Sequence, residues 1–187
     1  MPERLKTLPE IEAALWQELL HATRDRHHEW RTLVLATAAL DAQGAAGADA
    51  RTVVLREVDA DARQLRVYTD ARARKVAQVA AHPAATLLMW SKRLGWQLRC
   101  RATCTVDDEG LAVSSRWASI KLSPAAQDYL SPLAPGSALD AQTPAVAQRE
   151  CFAVLTAQVT RIDWLELHRA GHRRAVFGDG VARWVQP

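Results

Sequence analysis

Apolar residues at Ile11, Leu15, Leu19 and Ala22 recur every three to four positions, and Trp16 and Leu20 widen the stripe. This spacing predicts an amphipathic helix over about 9–28. Pro9 sits near its start, and Glu10 and Glu12 suit the positive end of the helix dipole. The polar string from His21 to His28 carries that helix out to solvent. Arg31 to Leu40 is an apolar run that predicts a strand buried on both faces, and Asp41 to Ala50 reads as a flexible loop to an antiparallel partner at Arg51–Val58. An acidic turn, Asp59–Gln64, precedes a strand at Leu65–Thr69. A basic helix start follows at Arg72–Lys75. That helix stops at His82-Pro83, because the residue before a proline avoids the α region. Strands are expected at Ala84–Trp90 and Trp96–Val106. Asp107–Gly110 turns the chain into a helix through Trp117, and a short helix is expected at Pro124–Leu130 with Ser123 as its N-cap. Ser131–Gly136 is a loop, and 137–150 reads as helical or mobile. Phe152–Trp164 returns to strand, and His172–Phe177, a Gly178–Gly180 turn and Val181–Val185 form a closing hairpin. Six or seven strands in mostly antiparallel succession favour a small β-barrel decorated by helices over a parallel α/β sheet.

Composition narrows the function classes. At 187 residues one domain is expected, with the barrel at about 31–106 and 152–186 and a helical or loop insertion at about 108–150. A net charge of +3 is too slight for a protein built to grip nucleic acid, although the pI near 9.0 leaves that reading open. No apolar run approaches a membrane span, and the N-terminus has no signal-peptide core. Three cysteines without CxxC spacing argue against a disulfide framework and fit a reducing cytoplasm. Neither GxGxxG nor GxxxxGK[ST] occurs. His168 and His172 are four apart, but Gly171 lies between them, so no metal site is expected.

The arginine-rich centre is the candidate for chemistry. Arg74 and Lys75 follow a strand and open a helix, where free backbone N–H groups and the dipole attract an anion. With Arg51 from the neighbouring strand, and the hydroxyls of Tyr68 and Thr69, they have the means to hold a phosphate dianion by charge-assisted hydrogen bonds. The plainer reading is a solvated basic helix face.

The order Arg51-x-Val-Val-Leu-Arg56, Tyr68-Thr69, Arg74-Lys75, His82-Pro83, Trp90, Gln97-x-Arg99 resembles the pyridoxamine 5'-phosphate oxidase-like, FMN-binding split-barrel family. Ile162-Asp-Trp164 and His172-Arg-Arg174 resemble its late motif. The resemblance implies a six-stranded antiparallel split β-barrel that forms a homodimer with FMN at the interface. It implies that Arg51, Arg74 and Lys75, with Thr69 and Tyr68, neutralise the FMN phosphate. Thr52, Val53, Val54 and Leu55 would run their backbone along the flavin. Arg56, where the family has lysine, would lie near the ring, and Gln97 would bond its pyrimidine edge. Trp164 and Arg174 would come from the second subunit. A flavin between subunits would also engage the apolar surface of Trp30, Trp90, Trp96 and Trp117, although core packing is the preferred reading for Trp16 and Trp30. His172 and Arg56 are the candidates for positioning or proton handling.

The chain also departs from the vitamin B6 enzymes. Ala170 stands where they carry arginine, and only Arg116 and Ser119 resemble remnants of their substrate-phosphate set. The resemblance therefore implies an FMN-binding oxidoreductase, taking electrons from a small-molecule donor, that is not an efficient pyridoxamine 5'-phosphate oxidase. A non-catalytic flavin-binding or flavin-sensing module, a flavin reductase and a deazaflavin-using relative stay open as alternatives. Nucleic acid is disfavoured because aromatic residues are not interleaved with the basic ones.

Overall fold

A computed structural model describes residues 4–40, 43–123, 126, 129–138, 151–178 and 180–187. Helix α1 spans Leu8–Arg24. Thr7 caps it: the Glu10 N–H donates to the Thr7 hydroxyl, and the Thr7 N–H donates to the Glu10 carboxylate at 2.9 Å. This reciprocal box fixes the start. The helix ends four residues before the expected His28. There Asp25 accepts the His27 N–H, and His28 Nδ1 accepts the Trp30 N–H at the head of a 3-10 turn, Glu29–Arg31. Such local side-chain bonds compete with helix continuation.

The strands are β1 (Thr32–Leu40), β2 (Ala46–Asp59), β3 (Gln64–Asp70), β4 (Ala84–Ser91), β5 (Trp96–Asp107), β6 (Phe152–Glu166), β7 (Arg173–Gly178) and β8 (Val181–Val185). Between them lie α2 (Arg74–Ala81) and α3 (Leu111–Ile120). The sheet order is β3-β2-β1-β4-β5-β6-β7-β8, and β3 also pairs with β6. Six antiparallel strands, β1 to β6, thus close into a ring, the arrangement expected of a split barrel. The hairpin β7–β8 extends outward from β6.

Every second residue fills the ring's interior, as closure requires. β1 is accordingly buried on one face, through Leu33, Leu35 and Thr37, and not on both as its apolar run suggested; Val34 and Ala36 face outward and are only partly covered. α1 adds Ile11, Leu15 and Leu19 to the same core. β2 begins at Ala46, inside the stretch expected to be loop, because Ala46–Ala50 pairs with Ala36–Leu40 of β1. Ladder pairing overrides weak strand propensity there. α3 runs three residues past Trp117 and packs Val113 and Trp117 against Phe152 and Val154 outside the ring. The Ser123 hydroxyl donates back to the Ile120 carbonyl at 2.7 Å, closing α3. The helix expected at 124–130 lies largely outside the described residues, as does most of 137–150.

Cys100 and Cys104 are buried free thiols, and burial raises their pKa values to about 12 and about 11. They stay protonated and unreactive at neutral pH. Among the described residues, no helix is long and apolar enough to cross a membrane.

Candidate functional site

The ring opens where β2 and β3 part. Thr32–Leu40 of β1 pairs with the N-terminal part of β2 up to Val54, whereas the β2–β3 register begins only at Leu55↔Val67. The second edge of Arg51–Val54 therefore has no ladder partner among the described residues, and it presents backbone groups to the gap. Arg51, Val53 and Leu55 point to the interior side, while Thr52, Val54 and Arg56 point outward.

Arg51 turns at the rim toward α2. Nη1 donates to the Thr37 hydroxyl at 2.7 Å and to the Leu35 carbonyl at 3.2 Å. Nη2 donates to Gln78 Oε1 at 2.8 Å and pairs with Asp49 at 2.7 Å. Its Nε–H has no partner among the described residues. Lys75 Nζ donates to the buried Thr69 hydroxyl at 2.9 Å, leaving two of its three donors. Burial, and then the neighbouring Arg51, push the Lys75 pKa below its ordinary value. Arg74 is exposed at the first position of α2, and Ala73 gives that helix start no side-chain cap. Three cations, Arg51, Arg74 and Lys75, thus face one carboxylate, Asp49. An uncapped helix start, spare donors and excess positive charge fit a phosphate monoester.

Two members of this cluster were not anticipated. Gln78 lies one turn beyond Arg74 and Lys75 on α2, so helical spacing carried a signal for it. Thr37, inside a run of apolar residues, carried none. Tyr68 does not join the cluster. Adjacent strand residues face opposite ways, so Thr69 points inward and Tyr68 outward, where its hydroxyl donates to Glu57 at 2.6 Å.

Glu57 is the hub of a second group. It accepts Arg116 Nε at 2.6 Å and Nη2 at 2.8 Å as well as Tyr68. Burial works to raise the Glu57 pKa, but the Arg116 and Tyr68 bonds outweigh it and hold it below the ordinary value. Burial, reinforced by Glu57, pushes the Tyr68 phenol above its ordinary range. Arg56 sits at the β-bulge between Leu55 and Glu57. Its guanidinium lies 5.8 Å from the Tyr68 ring centroid and donates weakly to the Tyr129 hydroxyl at 3.4 Å, while its buried Nε has no partner. Arg56 is thus an under-satisfied cation at the outer mouth of the gap. Arg116 is a neutralised one, and the Ser119 hydroxyl is turned back to the Arg116 carbonyl.

Of the remaining expected residues, Gln97 and Arg174 lie on the outer face of the sheet. Gln97 stands directly opposite Trp90 on one side and Leu165 on the other, and Leu165 stands opposite Arg174. These four form one row, and Trp90 is 45% exposed. Arg174 pairs with Asp163 at 2.7 Å, and Arg99 binds the same carboxylate. Trp164 is not in the row. It is 0% exposed and faces inward, with its ring 5.5 Å from Trp96 and 6.3 Å from Trp184. Its neighbour Leu165 holds the outward position in that row. Trp30, Trp96 and Trp117 are also buried, leaving Trp90 as the exposed one of that set. His172 is exposed on the β6–β7 connection, and its Nδ1 accepts the His168 N–H at 3.2 Å. Among the described residues, no hydrogen bond or ion pair joins it to Arg56.

Arg72, two residues before Arg74, is a strut. It is bound to the buried Asp70 carboxylate through Nε at 3.0 Å and Nη2 at 2.7 Å, and it donates to the carbonyls of Ser131, Pro132 and Leu133. This ties the loop after Tyr129 to the turn that opens α2. Among the described residues Glu18, His21 and His28 come nearest to a metal-ligand group. However, His28 Nδ1 accepts a backbone N–H, so its Nε2 carries the proton it gives to Glu18 at 2.8 Å. That leaves no ring lone pair for a cation.

A family model described as pyridoxamine 5'-phosphate oxidase, FMN-binding domain, matches residues 13–108. No curated protein matches the chain. Among solved structures, a pyridoxamine 5'-phosphate oxidase-related FMN-binding protein of Nostoc punctiforme is 22% identical, with 99% of this chain and 100% of that one covered and a TM-score of 0.71. PhzG of Burkholderia lata, solved with tetrahydrophenazine-1-carboxylic acid, is 18% identical over 96% of this chain and 92% of its own, with a TM-score of 0.73. At such identity the likeness speaks for the fold.

Proposed function

The chain belongs to the pyridoxamine 5'-phosphate oxidase-type FMN-binding family, and from that premise we propose that it is a homodimeric, cytoplasmic FMN-dependent oxidoreductase whose substrate is not pyridoxamine 5'-phosphate. FMN is the cofactor of this family. The observation that carries the reading is the excess of cations at the uncapped start of α2, beside the open edge of Arg51–Val54.

In this proposal Arg51, Arg74, Lys75 and Thr69 hold the FMN phosphate, and the backbone from Arg51 to Arg56 follows the rest of the cofactor. Bound FMN supplies two-electron chemistry. Arg56 offers its guanidinium near the ring, and His172 holds or moves a proton beside the substrate. Gln97 and Arg174 serve the flavin of the other subunit. In support, no hydrogen bond or ion pair among the described residues joins that row to the Arg51 cluster within a protomer. The substrate is assigned outside the phosphorylated vitamers because Glu57 neutralises Arg116 and Ala170 supplies no cation.

The test is an absorption spectrum after FMN addition and desalting, followed by turnover assays. Retained bands near ~370 and ~450 nm are expected for bound flavin, with no useful oxidation of pyridoxamine 5'-phosphate. A protein that stays colourless sinks the cofactor site, and efficient turnover of that substrate sinks the substrate assignment.

Affinity for FMN should also fall as pH rises above neutrality. Bound phosphate favours the Lys75 ammonium, whereas in the free protein burial and Arg51 depress its pKa. The complex therefore holds more protons than the free protein below the ordinary lysine value of about 10.4. Titrations between pH ~7 and ~10 should show this weakening, and Lys75→Arg should flatten it. A level profile in the unaltered protein removes Lys75 from the phosphate site.

A further inference from the structure

On the outer face of β5 and β6, Arg101 stands directly opposite Arg161. Like charges in that position repel. Neither side chain has a hydrogen-bond or ion-pair partner among the described residues, in contrast to Arg99 and Arg174, which share Asp163. The pairing is held in place by a register shift between Arg101 and Ala102, where the Thr160 hydroxyl donates to the Arg101 carbonyl at 3.2 Å. Bulges of this kind re-aim side chains and gather at functional edges. Thr86 lies on the other side of Arg101, and these residues line a concavity of about 300 Å³ together with Arg99, Asp163 and Arg174. Four guanidiniums face one carboxylate there. The repulsion is built in, and no hydrogen bond or ion pair among the described residues relieves it.

We propose that this concavity is a binding site for a diphosphate group, carried by a nucleoside diphosphate or dinucleotide. A single phosphate spans one row of the sheet. The arginines occupy three successive rows, Arg101 with Arg161, then Arg99, then Arg174 in the Gln97 row, each about 7 Å from the next. A diphosphate, with roughly two charges in a dinucleotide and three in a nucleoside diphosphate, spans the first two rows and answers the cationic excess. The site lies on the same face as the Gln97–Arg174 row. Arg101 is four residues from Gln97, about 13 Å along the strand, so the remainder of such a ligand extends toward that row. The assignment does not depend on FMN occupying its site.

The test uses calorimetric titration of the FMN-loaded protein with inorganic pyrophosphate and, separately, with ADP, comparing it with the Arg101→Gln/Arg161→Gln double variant. If the protein retains no flavin, the same titrations are run on it as purified, so the two readings fail separately. Both ligands are expected to bind, and the variant to bind them at least about tenfold more weakly, the scale of losing one charge-assisted bond. The variant should keep its flavin content, and its melting temperature should hold or rise, since the cross-strand repulsion is gone. Tighter binding of ADP than of pyrophosphate identifies a nucleotide as the source of the group. Absence of binding by either ligand, or equal binding by the variant, overturns the site.

Discussion

Replacing Arg51 with alanine should weaken FMN binding by roughly 10- to 150-fold. That corresponds to one charge-assisted hydrogen-bonding group at about 1.5–3 kcal/mol. The guanidinium is pre-oriented by Thr37, the Leu35 carbonyl, Gln78 and Asp49, so little side-chain freedom remains to be lost when an anion arrives. The same geometry separates Arg51→Lys from a conservative change. Lysine keeps the charge but cannot span Thr37 and Gln78 with a planar fork, so it should recover only part of the loss. Quenching of FMN fluorescence on titration reads both variants. An unchanged dissociation constant for Arg51→Ala would leave the cluster as a structural rim and move the phosphate site elsewhere.

Trp164→Ala should cost about 3–5 kcal/mol of unfolding free energy, the usual range for emptying a buried aromatic site. The side chain is fully enclosed between Trp96 and Trp184, under Arg173 at 5.5 Å from its ring centroid. Urea unfolding of the flavin-free protein measures the loss without involving the cofactor. Leu165→Ala should do the opposite, leaving stability within about 1 kcal/mol while weakening flavin retention. Near-native stability of Trp164→Ala together with loss of flavin would return Trp164 to the cofactor site.

These two neighbours show where sequence reading stops. The strands, α2 and its stop at His82-Pro83 were legible from alternation and from proline. The Arg51, Arg74 and Lys75 grouping was legible from a helix start following a strand. Facing was not. A strand motif names a pair such as Tyr68-Thr69 or Trp164-Leu165, but its members point to opposite sides, and a register offset of one residue decides which side is the core. The bulges at Arg56 of β2 and at Thr160 of β6 shift that parity and leave no compositional mark. Arg72 read only as the first cation of a basic helix start. Its role as a strut depends on carbonyls about 60 residues away, a relation that periodicity does not carry. Ala46–Ala50 looked like loop because its strand character comes from β1 and not from its own residues.

The pairing of β3 with β6 also governs how the chain reaches its folded state. Gln64 meets Gln158 across 94 positions. During synthesis, β1 to β5 can form their local hairpins while β3 still lacks its second neighbour. The ring shuts only after β6 has left the ribosome. Until then β3 offers an unpaired edge bearing Leu65 and Val67, the kind of surface on which nascent chains aggregate. Refolding should accordingly be slow for a domain of this size, because its limiting contact is distant in sequence.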